Sequence, residues 1–338
     1  MNSDLVGPLK ALLKTGKRIV LVPHKNPDGD AIGSCLGLQR FLEAHNHTTH
    51  LISPNDFPEF LKWMPGAESV INFEKNRGKA EKILASADLV FTLDFNALNR
   101  TGAMEEVLEK TTCPFIMVDH HQSPHDYAEV TYSDAQMSST CEMVYHLIDG
   151  LGAAGDIDAE IATCLYTGIL TDTGSFKYPG TTPTTMRVAA ELMEQGAPHT
   201  QIHRYIYDTN RVERLQLLGC ALQNLVILKP YRTAYITLTQ EDLNRHNFQK
   251  GDTEGFVNYA LSLKDVVLAA IFIENKEEGI IKISFRSQGD FSVNDLARSH
   301  FSGGGHINAA GGRSEESLKA TTSRFESLLP LYKKQLSR

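Results

Sequence analysis

Three short apolar segments stand out in the first half of the chain. They cover residues 18–24, 88–94 and 115–119, and each is continuously apolar between polar ends. A strand buried on both faces of a sheet shows this pattern, whereas a strand with one solvated face alternates between apolar and polar residues. The three segments therefore predict central strands of a sheet that is covered on both sides.

Helical patterns separate these segments. A glycine-punctuated turn after the first segment leads into a helix that we expect to run to about Ala44, and residues 76–87 form another helical stretch. Shorter strand patterns lie between them at 50–53 and 70–73. Strands that alternate with helices predict an α/β fold with a doubly wound, mostly parallel sheet.

Residues 138–228 are typical of helices almost throughout. Ser138 or Ser139 can cap the first of these helices, and Asp156 or Asp158 can cap the second. Short polar side chains are favoured at such positions because they accept hydrogen bonds from the amides of the first turn. This stretch therefore predicts a helical connector that follows the sheet.

The pattern changes again after Lys229-Pro230. Before this point, residues 201–228 predict one long helix, with 209–210 as the place for a break. Beyond it, three segments have the alternating or β-branched pattern of strands, at 232–239, 266–274 and 280–287. The tail, at 318–336, has the pattern of an amphipathic helix. We expect a first domain at 1–228 that includes the connector, and a smaller α/β domain at 229–338 across a cleft.

Composition limits the function. The 338 residues favour two domains, and five scattered cysteines without a C-x-x-C pair predict neither a disulfide framework nor a thiolate metal site. We find no signal-peptide pattern and no segment near the roughly 20 apolar residues of a membrane helix, so we expect a cytoplasmic protein without a membrane partner. A net charge of −8 disfavours long duplex nucleic acid and favours a short anionic substrate.

Acidic and imidazole side chains follow the three central strands. They are His24, Asp28 and Asp30 after the first strand, Asp94 at the end of the second, and Asp119, His120 and His121 at the end of the third. The carboxyl ends of parallel strands line the ligand crevice of an open sheet, so these residues are expected at one edge. A further acid, Asp172, lies near the end of a helix among small residues that leave room for close approach.

Each of these residues alone has an ordinary structural explanation, such as a turn, a helix cap or a buried hydrogen bond. Together, however, several converging carboxylates would repel each other and lose hydration unless cations neutralised them. About four carboxylates with two histidines and no thiolate favour Mn²⁺ or Mg²⁺ over structural zinc. Six candidate ligands are too many for one ion that also binds water, and so predict two metal ions, an arrangement typical of phosphate ester hydrolysis.

A second cluster lies at residues 301–312, FSGGGHINAAGG. We expect the triple glycine to open a small-residue helix and to present backbone N–H groups to an anion. The residues that would form this phosphate clamp are Gly303, Gly304, Gly305, His306, Arg286 and Arg313. The alternative is a flexible loop before an ordinary helix. Phe285 and Phe301 could stack on a base, but a place in the core is the stronger interpretation.

These motifs resemble those of a known family. The segment HKNPDGDAIGS from His24, then Asp94, then the tripeptide DHH at 119–121, then Asp172, resemble the four motifs of the DHH phosphoesterase superfamily. The segments SFRS and GGGHINAAGG resemble the associated DHHA1 domain. The likeness spans nearly the whole chain, and its five motifs occur in the required order. Among members, the compact layout is similar to that of NrnA-type oligoribonuclease/PAP phosphatases.

The resemblance implies roles for the matched residues. Two divalent ions, Mn²⁺ preferred and Mg²⁺ the alternative, would be held by His24 and Asp28 at the first site, by Asp30, His120 and Asp172 at the second, and by Asp94 at both. His121 would contact the scissile phosphate, and Asp119 would orient the neighbouring histidines. Arg286, the backbone at 303–305 and His306 would bind the substrate. Arg100 also matches a family position, with a role that the resemblance leaves open.

The expected activity is metal-dependent hydrolysis of short oligoribonucleotides, linear dinucleotides such as pApA, and 3′-phosphoadenosine 5′-phosphate, with water activated by two metal ions. Within the same class, the alternative is an exopolyphosphatase-like phosphatase. Outside it, the alternative is a non-catalytic nucleotide- or RNA-binding module, which loss of metal ligands would indicate, whereas this sequence keeps all of them. The preferred substrate, the native metal and a homodimeric assembly stay open.

Overall fold

The computed structural model describes residues 3–14 and 16–337. The chain forms two compact units, Met1–Thr209 and Asn210–Arg338, and each contains a six-stranded sheet. The domain boundary that we place after residue 228 from the sequence stays a prediction. In the structure, the helix at Val212–Gln223 belongs to the second unit, because its buried Leu217 and Ala221 pack in a core of that unit.

The first unit contains a fully parallel sheet. Its strands are β1 (Arg18–Pro23), β2 (Thr48–Ser53), β3 (Ile71–Asn72), β4 (Leu89–Leu93), β5 (Phe115–Asp119) and β6 (Val130–Ser133). In space they follow the order β3-β2-β1-β4-β5-β6. The strand order reverses between β1 and β4, which opens a crevice at their carboxyl ends. The predicted doubly wound sheet is confirmed.

Helices cover both faces of this sheet. They are α1 (Ser3–Leu12), α2 (Gly29–Ala44), α3 (Phe73–Ala85), α4 (Glu105–Glu109), α5 (Thr140–Gly150), α6 (Ala159–Asp172), α7 (Pro183–Glu194) and α8 (His199–Tyr207). Along β1, Ile19 and Leu21 lie in one hydrophobic core, whereas Val20 and Val22 lie in the other. Both faces of the strand are therefore buried, which explains its continuous apolar sequence.

Helices α2 and α6 approach each other closely because glycines face the neighbouring helix. A Cβ atom at Gly33 would lie 2.6 Å from the carbonyl oxygen of Cys164, and one at Gly168 would lie 2.8 Å from Oδ1 of Asp30. Neither position accepts a larger residue without a shift of the helices. The close packing brings the first turn of α2 near the end of α6, where Asp172 lies.

The helical segment 201–228 differs from our expectation. It forms α8, α9 (Val212–Gln223) and β7 (Val226–Leu228) rather than one long helix. The break falls close to the predicted place at 209–210. The last residues form an antiparallel ladder with the next strand, in which Val226 pairs with Tyr235. Hydrogen bonding between strands therefore overrides the local helical pattern, a tertiary effect that sequence periodicity does not detect.

The second unit contains a mixed sheet. Its other strands are β8 (Thr233–Leu238), β9 (Leu268–Asn275), β10 (Ile280–Ser287), β11 (Gly304–Gly305) and β12 (Ala309–Ser314), in the order β11-β12-β10-β9-β8-β7. Its other helices are α10 (Gln240–Arg245), α11 (Phe256–Leu261), α12 (Val293–His300) and α13 (Leu318–Leu336). Only the β8–β9 pair is parallel in this sheet. The predicted smaller α/β fold is confirmed.

Aromatic residues fill the core of this second sheet. Phe285 and Phe301 are almost fully buried, and their ring centroids lie 5.2 Å apart. Both rings also lie near Phe325 of α13. The core interpretation of these two phenylalanines is confirmed, and neither ring is exposed for stacking on a base.

All five cysteines are free thiols, and Cys35, Cys141 and Cys164 are buried. Within residues 3–14 and 16–337, no helix is both long and apolar enough to cross a bilayer. Five short 3₁₀ segments connect the main elements, at Glu59–Leu61, Ala67–Ser69, Leu98–Met104, Ala154–Asp156 and Lys229–Tyr231.

Candidate metal centre

The carboxyl ends of β1, β4 and β5 lie side by side. Pro23 pairs with Leu93 and Leu93 pairs with Val118, so the residues that follow them occupy adjacent positions at one edge of the sheet. These residues are His24, Asp94 and Asp119. Parallel pairing in this register therefore places an imidazole and two carboxylates together, although they are up to 95 residues apart in sequence.

His24, Asp28 and Asp94 form one half of the centre. The Nε2 atom of His24 lies 3.4 Å from Oδ2 of Asp94 and 4.0 Å from Oδ2 of Asp28. The other ring nitrogen, Nδ1, lies 2.9 Å from the carbonyl oxygen of Lys25. Asp28 is also the N-cap of α2, because its Oδ1 accepts hydrogen bonds from the amides of the first turn.

His120, Asp30 and Asp172 form the other half. The Nε2 atom of His120 lies 3.5 Å from Oδ2 of Asp172 and 3.8 Å from Oδ2 of Asp30. It also lies 3.4 Å from Oδ1 of Asp94. Its Nδ1 atom is 3.1 Å from the carbonyl oxygen of Met137. The two halves thus have the same design, in which one imidazole nitrogen contacts a backbone carbonyl and the other points at carboxylates.

Asp94 belongs to both halves. Its Oδ2 atom faces His24, whereas its Oδ1 atom faces His120. The residue is buried and has a left-handed backbone with φ of +67°. Aspartate and asparagine tolerate this conformation better than most residues, but it is uncommon, and such backbones often occur at functional sites. The two oxygens of Asp94 therefore face the two halves separately.

This set of atoms fits divalent cations. A carbonyl oxygen only accepts hydrogen bonds, so Nδ1 of His24 and of His120 must carry the proton. When the ring is neutral, Nε2 is then a lone pair that faces carboxylate oxygens, and these acceptors require a positive charge between them, which either a proton on Nε2 or a bound cation supplies. Neighbouring ligands around an octahedral ion with bonds of about 2.1 Å lie about 3 Å apart. The observed separations of 3.4–4.0 Å are close to that value.

Without a bound cation the carboxylates perturb one another. Burial, together with the charges of Asp94 and Asp172, raises the pKa of Asp30 well above its usual range. Burial also raises the pKa of Asp172 to about 6. Burial acts in the same direction on Asp94, but hydrogen bonds from His120 and His24 outweigh it and hold the pKa of Asp94 well below its usual range. The cluster therefore favours partial protonation until cations neutralise it.

Asp119 and His121 form a pair beside this centre. The Nδ1 atom of His121 lies 2.8 Å from Oδ1 of Asp119, which is fully buried, and 3.7 Å from Oδ1 of Asp94. A buried carboxylate on one nitrogen of an imidazole fixes the orientation of the ring. The Nε2 atom of His121 lies on the opposite side of the ring from Asp119. It is thus oriented as a proton donor or acceptor.

Sequence reasoning missed the amino terminus of α5. Ser139 caps this helix, one of the two candidates for that role, but the consequence of the cap was not foreseen. The backbone amides of Thr140 and Cys141 donate to the two oxygens of Asp30, at 2.6 Å and 2.8 Å. The first turn of α5 thereby holds the Asp30 carboxylate. The pattern Ser139-x-x-Glu142 is the only local signal, and it predicts a helix start without a ligand contact.

A second missed residue is Asn55, which follows β2 at the same edge of the sheet. Its Oδ1 accepts from the amide of Asn26 at 2.8 Å, and its Nδ2 donates to Oδ1 of Asn26 at 2.7 Å. This reciprocal pair holds the loop between His24 and Asp28, where Asn26 has a φ of +56°. Nothing in the segment around Asn55 marks it, because the contact spans 29 residues.

Arg100 lies near the first half of the centre. Its carbonyl oxygen accepts a hydrogen bond from the amide of Lys25, with an N–O distance of 2.8 Å. Burial lowers the pKa of His24, but Asp94 and Asp28 outweigh it and raise this pKa, and the guanidinium charge of Arg100 opposes them only weakly. The side chain of Arg100 is exposed. The structure thus brings Arg100 close to the residues that follow β1.

The glycine-rich segment is not a helix, contrary to our expectation. Gly304 pairs with Gly311 and Gly305 pairs with Ala310, so the segment forms the hairpin of β11 and β12. The amide of His306 donates to the carbonyl oxygen of Ala309 and closes the turn. The helix prediction was wrong because this segment pairs with β12 and its amides at Gly303 and Gly305 donate to the carbonyl oxygen of Ala297 and to Oδ1 of Asn294 in α12, and glycine itself disfavours helix. A helix dipole therefore contributes nothing here.

The hairpin brings some of the predicted substrate-binding residues together and separates one of them. Arg286 of β10 pairs with Ala309, next to the turn that carries His306. Its Nε atom is buried without a hydrogen-bond partner among the described residues. Arg313, in contrast, pairs with Lys282, four residues further along the ladder and about 13 Å away. Arg286 and His306 can act on one ligand, whereas Arg313 lies at the other end of the strand pair.

The three glycines differ in what they can tolerate. A Cβ atom at Gly303 would lie 1.9 Å from the carbonyl oxygen of Gly311, and Gly305 has a φ of +153° with a similar clash, whereas a Cβ at Gly304 would meet nothing closer than 3.5 Å. We predict that Gly303→Ala destabilises the second unit by about 2–3 kcal/mol, while Gly304→Ala costs less than about 1 kcal/mol. Urea unfolding followed by circular dichroism measures both. Equal losses would contradict this assignment.

Two family models match the chain. The DHH family, N-terminal domain, matches residues 18–169, and the DHHA1 domain matches residues 231–337. The first range contains the three strand ends with their acids and histidines, and the second contains the glycine-rich hairpin.

Relatives and solved structures agree with these matches. The bifunctional oligoribonuclease and PAP phosphatase NrnA of Thermus thermophilus is 32% identical over 298 residues, which cover 87% of this chain and 83% of the relative. A crystal structure described as an exopolyphosphatase-related protein from Bacteroides fragilis has a TM-score of 0.95 and 39% identity, covering 100% of this chain and 98% of that chain. RecJ from Thermus thermophilus, at 15% identity and a TM-score of 0.56, shares the fold over 98% of this chain and 54% of its own.

Proposed function

Because this chain belongs to the DHH phosphoesterase family and carries a DHHA1 domain, we propose that it hydrolyses short oligoribonucleotides, linear dinucleotides such as pApA, and 3′-phosphoadenosine 5′-phosphate. The observation that carries the proposal is the pair of imidazole–carboxylate half-sites that share Asp94. The similar NrnA protein is named for both activities. The chain retains every residue type that such a centre requires.

The residues that would hold two divalent cations are His24, Asp28, Asp94, Asp30, His120 and Asp172. We propose Mn²⁺ as the preferred ion and Mg²⁺ as the alternative, since carboxylate oxygens dominate the ligand set and suit both ions, and Mn²⁺ is the transition-metal ion of the two and accepts imidazole ligands more readily than Mg²⁺. When bound, such ions lower the pKa of water and neutralise charge on a phosphoryl group.

The remaining chemistry lies in the pair of His121 and Asp119. The carboxylate of Asp119 holds Nδ1 of His121 at 2.8 Å, which directs Nε2 of His121 outward from the buried carboxylate. From this orientation, His121 donates a hydrogen bond or a proton to the phosphoryl oxygens or to the leaving oxygen of the substrate. Asp119 does not touch the substrate in this proposal and serves to orient the ring of His121.

Residues of the second unit bind the rest of the substrate. Among them, Arg286 and His306 supply side-chain donors, and the absence of side chains in the glycine-rich strand leaves room for a phosphate beside its backbone. The full proposed set is Arg286, Gly303, Gly304, Gly305 and His306, together with Arg100 of the first unit, and it leaves out Arg313 because that residue lies at the other end of the strand pair. Among these, the buried and unpaired Nε of Arg286 is the strongest support, since a buried guanidinium donor without a partner is costly.

Substrate length provides the test of this proposal. We predict that turnover in Mn²⁺ is highest for RNA of two to five nucleotides and falls at least about tenfold by 20 nucleotides, because the acidic chain lacks a general field for a long polyanion. Product analysis by chromatography, with pApA and 3′-phosphoadenosine 5′-phosphate in parallel, measures the profile. Rates that rise with length would overturn the short-substrate proposal.

Hydrolysis of inorganic polyphosphate is the second candidate. The Bacteroides fragilis structure, which is 39% identical, is described as exopolyphosphatase-related, and this likeness justifies a direct comparison. The same assay with polyphosphate in place of RNA separates the two functions. Release of orthophosphate from polyphosphate that exceeds mononucleotide release from pApA would favour this candidate.

A further inference from the structure

Thr140 contacts two of the carboxylates described above. It is the first residue of α5 and is fully buried. Its backbone amide donates to Oδ2 of Asp30 at 2.6 Å, and its hydroxyl donates to Oδ1 of Asp94 at 2.9 Å. One residue thus connects the bridging carboxylate with a carboxylate of the second half-site.

The hydroxyl contact limits the rotation of the Asp94 carboxylate. The terminal torsion of an aspartate is broad, so the backbone of Asp94 alone does not determine which oxygen faces which imidazole. Oδ1 faces Nε2 of His120 and Oδ2 faces Nε2 of His24. A hydroxyl that donates to Oδ1 from a capped, buried helix terminus keeps the carboxylate plane in this orientation. The threonine side chain is itself stiff, since a β-branched residue has few rotamers in a helix.

We propose that Thr140 is a positioning residue that holds the Asp94 carboxylate in its bridging orientation and thereby sets the affinity of the centre for divalent cations. The inference rests on the proposed function in one respect, namely that the centre binds metal ions. Thr140 does not contact the substrate in this proposal. The loss of its hydroxyl is therefore expected to weaken metal binding directly, and to affect substrate binding only through the metal ions.

The test compares three variants with the full-length protein. Thr140→Val removes the hydroxyl at nearly constant volume, Thr140→Ser keeps it, and Thr233→Val removes a fully buried hydroxyl in the second unit that donates to a backbone carbonyl. Mn²⁺ affinity is measured without substrate, from the electron paramagnetic resonance signal of free Mn²⁺. Thr140→Val is expected to bind Mn²⁺ about 10- to 100-fold more weakly, as is usual for outer-shell partners of metal ligands.

The controls separate positioning from folding. Thr140→Ser is expected to stay within about threefold of the wild-type affinity, and Thr233→Val to match the wild type. Wild-type affinity in Thr140→Val, or an equal loss in Thr140→Ser, overturns the proposal. If circular dichroism shows that Thr140→Val does not fold, the Mn²⁺ affinity of Thr140→Ala is compared with that of Thr140→Ser instead. A wild-type protein that binds Mn²⁺ but turns over no nucleotide would refute the proposed function and leave this inference standing.

Discussion

Asp94→Asn is expected to reduce Mn²⁺-dependent cleavage of pApA by about 1,000-fold or more, the largest effect of any single substitution in the chain. Asp94 is the one carboxylate whose two oxygens face the imidazoles of both half-sites. An amide in its place keeps one oxygen and replaces the other by a donor, which cannot bind a cation. A loss of this size corresponds to about 4 kcal/mol of transition-state stabilisation.

Asparagine is a better probe than alanine at this position. The backbone of Asp94 has a φ of +67°, a left-handed conformation that asparagine accepts and that costs alanine about 1 kcal/mol. Alanine would also leave a gap beside Thr140, His24 and His120. Loss of activity in Asp94→Ala would therefore mix a backbone effect with the loss of the ligand.

The matched control is Asp88→Asn. Asp88 immediately precedes β4, whereas Asp94 immediately follows it, and Asp88 forms an exposed ion pair with Arg18. The same carboxylate-to-amide change at the start of β4 is expected to leave turnover within about twofold of the wild-type rate, because an exposed ion pair contributes little to stability. Turnover in Asp94→Asn above one-tenth of the wild-type rate, with Mn²⁺ saturating, would exclude a bridging role for Asp94.

Removal of divalent cations is expected to lower the melting temperature of the first unit by about 10 °C or more at pH 8, and by much less at pH 5. Each ion at 100 times its dissociation constant stabilises the folded state by about 2.7 kcal/mol, and 1 kcal/mol corresponds to about 2–4 °C for a unit of this size. Two ions therefore account for the expected shift. The effect depends on pH because metal ligands must be deprotonated.

Stabilisation by metal ions is thus expected to grow as the pH rises. The stability of the metal-free protein is expected to fall over the same range. The pKa of Asp172 is raised from 3.8 to about 6 in the folded state, so its contribution is fully present below pH 3.8 and is lost as the pH rises through about 6. Asp30 acts in the same direction, because its pKa is also raised. Asp94 has a lowered pKa, so its contribution is lost only in acid, below the pH range of this comparison.

Trp63 makes this measurement specific. It is the only tryptophan of the chain, and it lies in the first unit, where its ring packs against Tyr205. Thermal unfolding followed by tryptophan fluorescence, with EDTA or Mn²⁺ at several pH values, thus reports on the unit that contains the metal centre. A melting temperature that does not respond to Mn²⁺ at pH 8 would rule out metal binding at this cluster.

Local patterns were sufficient for the first sheet and for several helix ends. The segments around β1, β4 and β5 are continuously apolar because helices cover both faces, and burial on two faces leaves a clear mark on a sequence. The end helix α13 has the predicted bounds, Leu318–Leu336, since its amphipathic period extends over 19 residues. The family resemblance is likewise confirmed by the matches to the DHH and DHHA1 models.

Local sequence patterns failed where a segment pairs with a strand that its own sequence does not indicate. The segments at 226–228 and 304–305 look like helix or helix start, yet both are strands, because their backbones pair with β8 and β12. Glycines have no side-chain pattern, so a hairpin and a helix start built from them differ only in the partners of the backbone. The distance between Arg286 and Arg313 followed from the same ladder, and no feature of either residue indicates it.

The sequence by itself determined which acids and histidines lie at one sheet edge, because the end of a buried parallel strand is marked by the change from apolar to polar residues. Only the tertiary structure decided how these side chains are aimed. The hydroxyl of Thr140 and the amide of Asn55 act across 46 and 29 residues, and they orient Asp94 and the loop after His24. Hydrogen-bond direction depends on atoms that meet only in the folded chain, whereas burial depends on each segment's own composition.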